Sequence, residues 1–112
     1  WKFTTETNTN RQSNYPLKLL IAKIACVASK EVTVYAWFKK GHNTNIGAEL
    51  ICPAQLGATE QLMVCPSDTA ENQLHIHITP TSAGVLEIYA YAWYVAGHST
   101  VIVDAMTITQ AS

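Results

Sequence analysis

Apolar and polar side chains alternate along most of the chain beyond residue 15, and a period of two is the signature of half-buried β-strands. Over 31–40, Val32, Val34, Ala36 and Phe38 alternate with Thr33, Tyr35, Trp37 and Lys39. Leu74, Ile76 and Ile78 alternate with His75, His77 and Thr79. The longest run, 85–95, sets Leu86, Ile88, Ala90 and Ala92 on one face and Glu87, Tyr89, Tyr91 and Trp93 on the other. Shorter strands are predicted over 48–52 and 61–64, ended by Pro53 and Pro66, and a last strand over 100–109. The stretch 17–28 has a spacing that also suits a short helix. Tyr15-Pro16 before it and Ser29-Lys30-Glu31 after it supply no helix caps, so it reads as a strand, bent. Loops are expected over 41–45, 67–72 and 97–99, and Pro80 and Gly84 bracket a turn.

Seven or eight strands in so short a chain predict an all-β fold, a two-sheet sandwich or small barrel. The first fourteen residues are mostly Thr, Asn, Gln and Ser, and read as an extended arm, edge segment or linker. Thr4, Thr5, Thr7 and Thr9 suit either a linker or a segment that becomes ordered by adding a strand to a neighbour's edge. Residues 15–112 then form a single domain, which fits a length of 112 residues.

Composition narrows the use. Hydrophobic residues make up 48% of the chain, enough for a core, and charged residues only 13%. All seven basic residues (Lys2, Arg11, Lys18, Lys23, Lys30, Lys39, Lys40) lie in the first forty positions. From Gly41 onward there are six acids, four histidines and no Lys or Arg. Such segregation arises either by chance in a short chain or because complementary patches meet head to tail in an assembly. The net charge of -1 argues against a nucleic-acid or polybasic membrane partner. No apolar run approaches the ~20 residues of a membrane-spanning helix. The chain starts at Trp1 rather than Met, as a processed product, an excised domain or a partial chain would. Cys26, Cys52 and Cys65 form no zinc signature. Each of the last two precedes a proline and they could pair, but buried free thiols are expected.

The stretch I78-T-P-T-S-A-G-V-L-E-I-Y-A-Y-A-W-Y, followed by V101-I-V-D-A-M-T-I-T, resembles the closing half of jelly-roll carbohydrate-binding modules of the galactose-binding-like type. There a strand ending in Thr-Pro leads through a Gly turn into a long strand, and the final strand carries a Val-Asp-Asp-apolar signature. V32-T-V-Y-A-W-F-K resembles that family's strand with a central aromatic followed by a basic residue. The texture is also similar to that of domains in bacteriophage virion proteins. The resemblance spans roughly residues 15 to 110 and implies an antiparallel jelly-roll β-sandwich. Ala105 replaces the second acid of the signature and leaves only Asp104, which departs from the pattern of members that hold structural calcium.

Strand alternation directs Tyr35 and Trp37 away from Val34 and Phe38, Tyr89, Tyr91 and Trp93 away from Leu86 and Ile88, and His75 and His77 away from Ile76. If those strands share a sheet, one surface presents five aromatics and two histidines. Such a surface serves as core under a second layer, as a subunit interface, or as a platform on which rings stack against sugars. His75 and His77 also have the spacing of a metal-chelating pair, with His42, His98, Glu49 or Glu87 as possible third ligands. A hydrogen-bonded surface pair is the plainer reading, and no cofactor is expected.

Catalytic patterns are sparse. His98-Ser99 and Asp104 are present, but adjacent strand residues point to opposite faces. Glu49 and Glu87 read as solvated strand residues rather than a glycosidase pair. Lys39, Lys40, Lys23 and Arg11 with Tyr35 and Trp37 are too few for a nucleic-acid surface. The expectation is therefore a non-catalytic virion component: a capsid decoration or cement protein, or a tail or fibre domain. It is expected as a homo-oligomer or bound to other virion proteins, and assembled in the host cytoplasm. The alternative is an extracellular carbohydrate-binding module that attaches an enzyme or particle to a glycan.

Overall fold

The computed structural model describes residues 2–5, 17–41, 46–66, 69–94 and 99–112. Within its strands, the side chains of residues 2–5, 17, 46, 93, 94, 99 and 100 lie outside that description. Eight strands are present among the described residues: β1 (Lys2–Thr5), β2 (Leu17–Cys26), β3 (Val32–Lys40), β4 (Ile46–Cys52), β5 (Gln61–Val64), β6 (Asn72–Ile78), β7 (Gly84–Tyr94) and β8 (Ser99–Gln110). They form two antiparallel four-stranded sheets, sheet I in the order β1-β8-β3-β6 and sheet II in the order β2-β7-β4-β5. The all-β expectation holds, and the predicted strands over 17–109 differ from the observed ones only at their ends.

Pairing is nested. β4 pairs with β5, β3 with β6, β2 with β7 and β1 with β8, so the chain is one long antiparallel hairpin whose successive rungs fall alternately in the two sheets. The remaining ladders, β3–β8 and β4–β7, knit the rungs into sheets.

The alternating apolar positions meet between the sheets. Val32, Val34, Ala36 and Phe38 of β3 and Leu74, Ile76 and Ile78 of β6 face Leu50 of β4 and Leu86, Ile88, Ala90 and Ala92 of β7. Ala90 and Ala92 are fully buried, and small side chains there let the bulkier residues of sheet I approach closely. Each of Val, Leu, Ile and Phe buried in this way contributes about 1.5–3 kcal/mol relative to exposure. All three cysteines are free and buried. Burial, followed by the neighbouring Cys26, pushes the Cys52 thiol up to about 11.

Two bulges bend the ladders. In β2 the register with β7 shifts between Leu20 and Ala22, which accounts for the bend expected there. In β8, Tyr35 faces Thr107 and Trp37 faces Asp104, so Ala105 and Met106 together oppose Ala36. Ala105 takes φ 48°, and its N–H donates to Asp104 Oδ1 at 2.8 Å. Asp104 thus braces a bulge in a left-handed conformation.

A tight turn follows β4. Gln55 and Ala58 exchange two backbone hydrogen bonds of 3.2 and 2.8 Å around Leu56 and Gly57, both at positive φ (48° and 79°). The Gln55 side chain accepts from the Glu87 N–H at 2.8 Å through Oε1 and donates to the Glu87 carbonyl at 2.9 Å through Nε2. An amide side chain thereby continues the β4–β7 ladder beyond the end of β4. At the other terminus, the expected arm contributes β1, which pairs with the chain's own β8; the rest of the arm, residues 6–14, lies outside the described residues.

Candidate functional site

The alternation of β3 directs Tyr35 and Trp37 out of sheet I, and β6 and β8 supply their neighbours. Across the strands, Thr33 stands between His77 and Thr109, Tyr35 between His75 and Thr107, and Trp37 between Gln73 and Asp104. Trp37 remains 37% exposed, and both histidines are exposed. The Tyr35 and His75 rings lie 5.7 Å apart with a 34° tilt, and the His75 and His77 rings 5.5 Å apart, edge to face. Thr33 Oγ1 is 3.0 Å from His77 Nδ1, and Glu31 Oε1 is 3.6 Å from the same nitrogen. These contacts hold the rings as an ordered row rather than as separate surface groups. The centre of the row bears no Lys, Arg, Asp or Glu; Glu31, Lys39 and Asp104 sit at its margins.

Tyr89 and Tyr91 occupy the outer face of sheet II, on the opposite side of the molecule, because nested pairing assigns β7 to the other sheet from β3 and β6. The single surface of five aromatics and two histidines is therefore corrected to two patches. Both tyrosines are half-buried, with ring centroids 6.1 Å apart, and Lys18 Nζ lies 5.3 Å from the Tyr91 ring centre. Trp93 is on the same strand, and its side chain lies outside the described residues. Beside them on β4, Glu49 and Ile51 are fully buried although they alternate with core residues. Both faces thus carry half-buried tyrosines, and sheet I adds the exposed rings of Trp37, His75 and His77.

Glu49 corrects a second expectation, since it is buried rather than solvated. Glu87 is partly exposed and lies 4.0 Å from Lys23. Glu49 pairs across from Tyr91, four residues along β7 from Glu87, which separates the two backbones by about 13 Å at ~3.3 Å per residue. Among the described residues no three His, Cys, Asp or Glu converge on a metal site, and His42 and His98 lie outside them. Lys40 is 2% exposed and Lys39 exposed, so the pair does not form one basic patch.

The burial of Lys40 and the contact of Met63 were not anticipated from the sequence. Lys40 continues the inward phase of Val32 to Phe38, a signal present in the alternation itself. Met63 of β5 accepts the His75 N–H through its sulfur at 3.4 Å and so covers part of the free edge of β6; no local pattern announces that contact. No protein-family model, curated protein or solved structure matches this chain.

Proposed function

We propose that the chain is a non-catalytic virion structural component, a capsid decoration or cement protein or a tail or fibre domain, that self-associates through the outer face of sheet I. The observation that carries the reading is the Thr33–Tyr35–Trp37 and His75–His77 row. It is rich in rings, held by contacts among Tyr35, His75 and His77, free of charge at its centre, and exposed at Trp37, His75 and His77, while the sandwich fills its core without it. Aromatic residues surrounded by few charges are what interface cores contain. The nested pairing of strands across two sheets supports the jelly-roll reading that the resemblance implies. Tyr35, Trp37, His75 and His77 are the proposed contacts; Tyr89 and Tyr91 lie on the other face, and Trp93 is on the same strand as they are, in the other sheet.

The exposed Trp37 ring between Gln73 and Asp104 favours a second reading, a sugar-stacking platform with hydrogen-bonding groups at its rim. Sedimentation of the wild type and of Tyr35→Ala/Trp37→Ala, with an oligosaccharide titration of tryptophan fluorescence, separates the two. Assembly through the face predicts a species larger than a dimer that is lost in the variant, and fluorescence that ignores sugars. An unchanged mass in the variant would overturn the interface. A monomer whose fluorescence is quenched by an oligosaccharide would establish the sugar platform instead.

A further inference from the structure

His75 and His77 stand two residues apart on β6, both on the outer face of sheet I and both exposed. Their ring centres are 5.5 Å apart with an interplanar angle of 70°, so the rings are not stacked on each other. Two imidazoles bonded to one tetrahedral zinc ion, at ~2.0 Å per Zn–N bond, have ring centres about 5 Å apart. A small rotation of either side chain therefore brings the pair to chelating distance.

The surroundings of His77 fit a metal ligand. Its Nδ1 lies 3.0 Å from Thr33 Oγ1 and 3.6 Å from Glu31 Oε1. Metal-bound histidines are oriented in this way, one ring nitrogen donating to a carboxylate or another oxygen while the other takes the ion. With Nδ1 so engaged, the nitrogen left for an ion is Nε2, on a side chain that is 47% exposed. His75 is confined by the Tyr35 ring, 5.7 Å away. Lys39 shares the outward phase of β3 but stands six residues from Thr33, about 20 Å at ~3.3 Å per residue, too far to repel a cation at the pair. Glu31, beside His77, favours one. Among the described residues no third His, Cys, Asp or Glu joins the two histidines, so these residues bring half of a four-ligand shell.

We propose that His75 and His77 bind a divalent transition metal ion, zinc in the first place, and that the same two histidines of a second copy fill its remaining positions across a twofold axis. Imidazole nitrogens suit zinc, copper and nickel, and four of them around one ion make a closed tetrahedral zinc site. A twofold contact supplies them without any further residue type, because each copy presents the same patch to the other. The inference rests on the reading of the outer face of sheet I as a contact between copies, and names the ion held there. The ion gives partners to ring nitrogens that such a contact would otherwise desolvate, and it fixes the register of the two faces, since all four rings must converge on one point. Glu31 and Thr33 are positioning residues: they touch His77 and not the ion.

The test titrates Zn²⁺ into chain freed of metal with a chelator, reading stoichiometry by equilibrium dialysis and mass by analytical ultracentrifugation. The wild type is expected to hold one zinc per two chains and to gain mass with it. His75→Ala/His77→Ala is expected to lose both effects, and Glu31→Gln to keep the stoichiometry while binding roughly tenfold more weakly. Circular dichroism checks that each variant is folded. Zinc held at one per chain without a change of mass overturns the proposal, as does zinc held equally by the double histidine variant, or none taken up in the micromolar range. The two readings fail separately. If Tyr35→Ala/Trp37→Ala lowers the mass while zinc and chelator leave the wild type unchanged, the ion is refuted and the interface stands. If the wild type is monomeric with and without zinc, both fall.

Discussion

Replacing Gln55 by alanine tests whether one side chain can stand in for a piece of strand. Its amide holds both backbone groups of Glu87, at 2.8 and 2.9 Å, and donates also to the Pro53 carbonyl at 3.0 Å and to Cys52 Sγ at 3.4 Å. All four contacts are partly buried. A neutral hydrogen bond contributes about 1 kcal/mol net, and a partly buried group left without a partner costs about 1–3 kcal/mol. Losing both bonds to Glu87 is therefore expected to cost about 2–4 kcal/mol. That is a large part of the 5–15 kcal/mol typical of a domain, and corresponds to a Tm fall of roughly 10–20 °C. Urea denaturation followed by circular dichroism reads the change as a shifted midpoint at constant slope. Gln61→Ala is the control, because the Gln61 amide touches only the exposed Thr59 hydroxyl, at 3.4 Å, and its loss is expected to stay within about 0.5 kcal/mol. If Gln55→Ala is no costlier than the control, the amide is not bearing the end of the ladder and the reasoning fails.

Other consequences can be measured in the same way. Gly57→Ala is expected to destabilise by more than about 1 kcal/mol, because its φ of 79° disfavours a side chain and a β-carbon there meets the Thr81 hydroxyl; a thermal midpoint equal to wild type contradicts this. Cys52 ionises near 9.0 when unfolded and about 11 when folded, so the unfolded chain loses its proton first and stability falls as pH rises from 9 towards 11. The slope from this thiol is at most about 1.4 kcal/mol per pH unit. It appears as the difference between wild type and Cys52→Ala in midpoints measured at pH 8, 9 and 10, and parallel curves would refute it. The same buried thiol is expected to react with a thiol reagent only as fast as the protein unfolds.

Much of the sandwich is written locally. The phase of β3 and β7 could be read from residues two apart, because a strand with one buried face cannot slip by one position without exposing its core set. Phe38, Leu86 and Ala90 went inward as that phase required. Sheet membership was not legible, since whether β7 lies beside β3 depends on pairings between distant segments that leave no periodic trace. This is why the outward residues of β3, β6 and β7 are expected on one surface and the described ones lie on two. Glu49 was obscure for a related reason. In a strand with one wet face its alternation with Ala48 and Leu50 indicates solvent, and only the packing of the whole sheet shows that this face is covered. Gln55 and Met63 act on backbone groups of other strands, a role that side-chain chemistry allows but no spacing encodes.

Nested pairing also dictates an order of events during synthesis. The innermost rung joins near neighbours, Glu49 with Val64, whereas the outermost joins Lys2 with Ile102 across nearly the whole chain. Closing the larger loops first would cost the most entropy, so the hairpin is expected to zip from its middle towards its two ends. β1 can then find its place only once β8 has left the ribosome, and until that moment the newborn strands on both flanks stay sticky and in need of shelter.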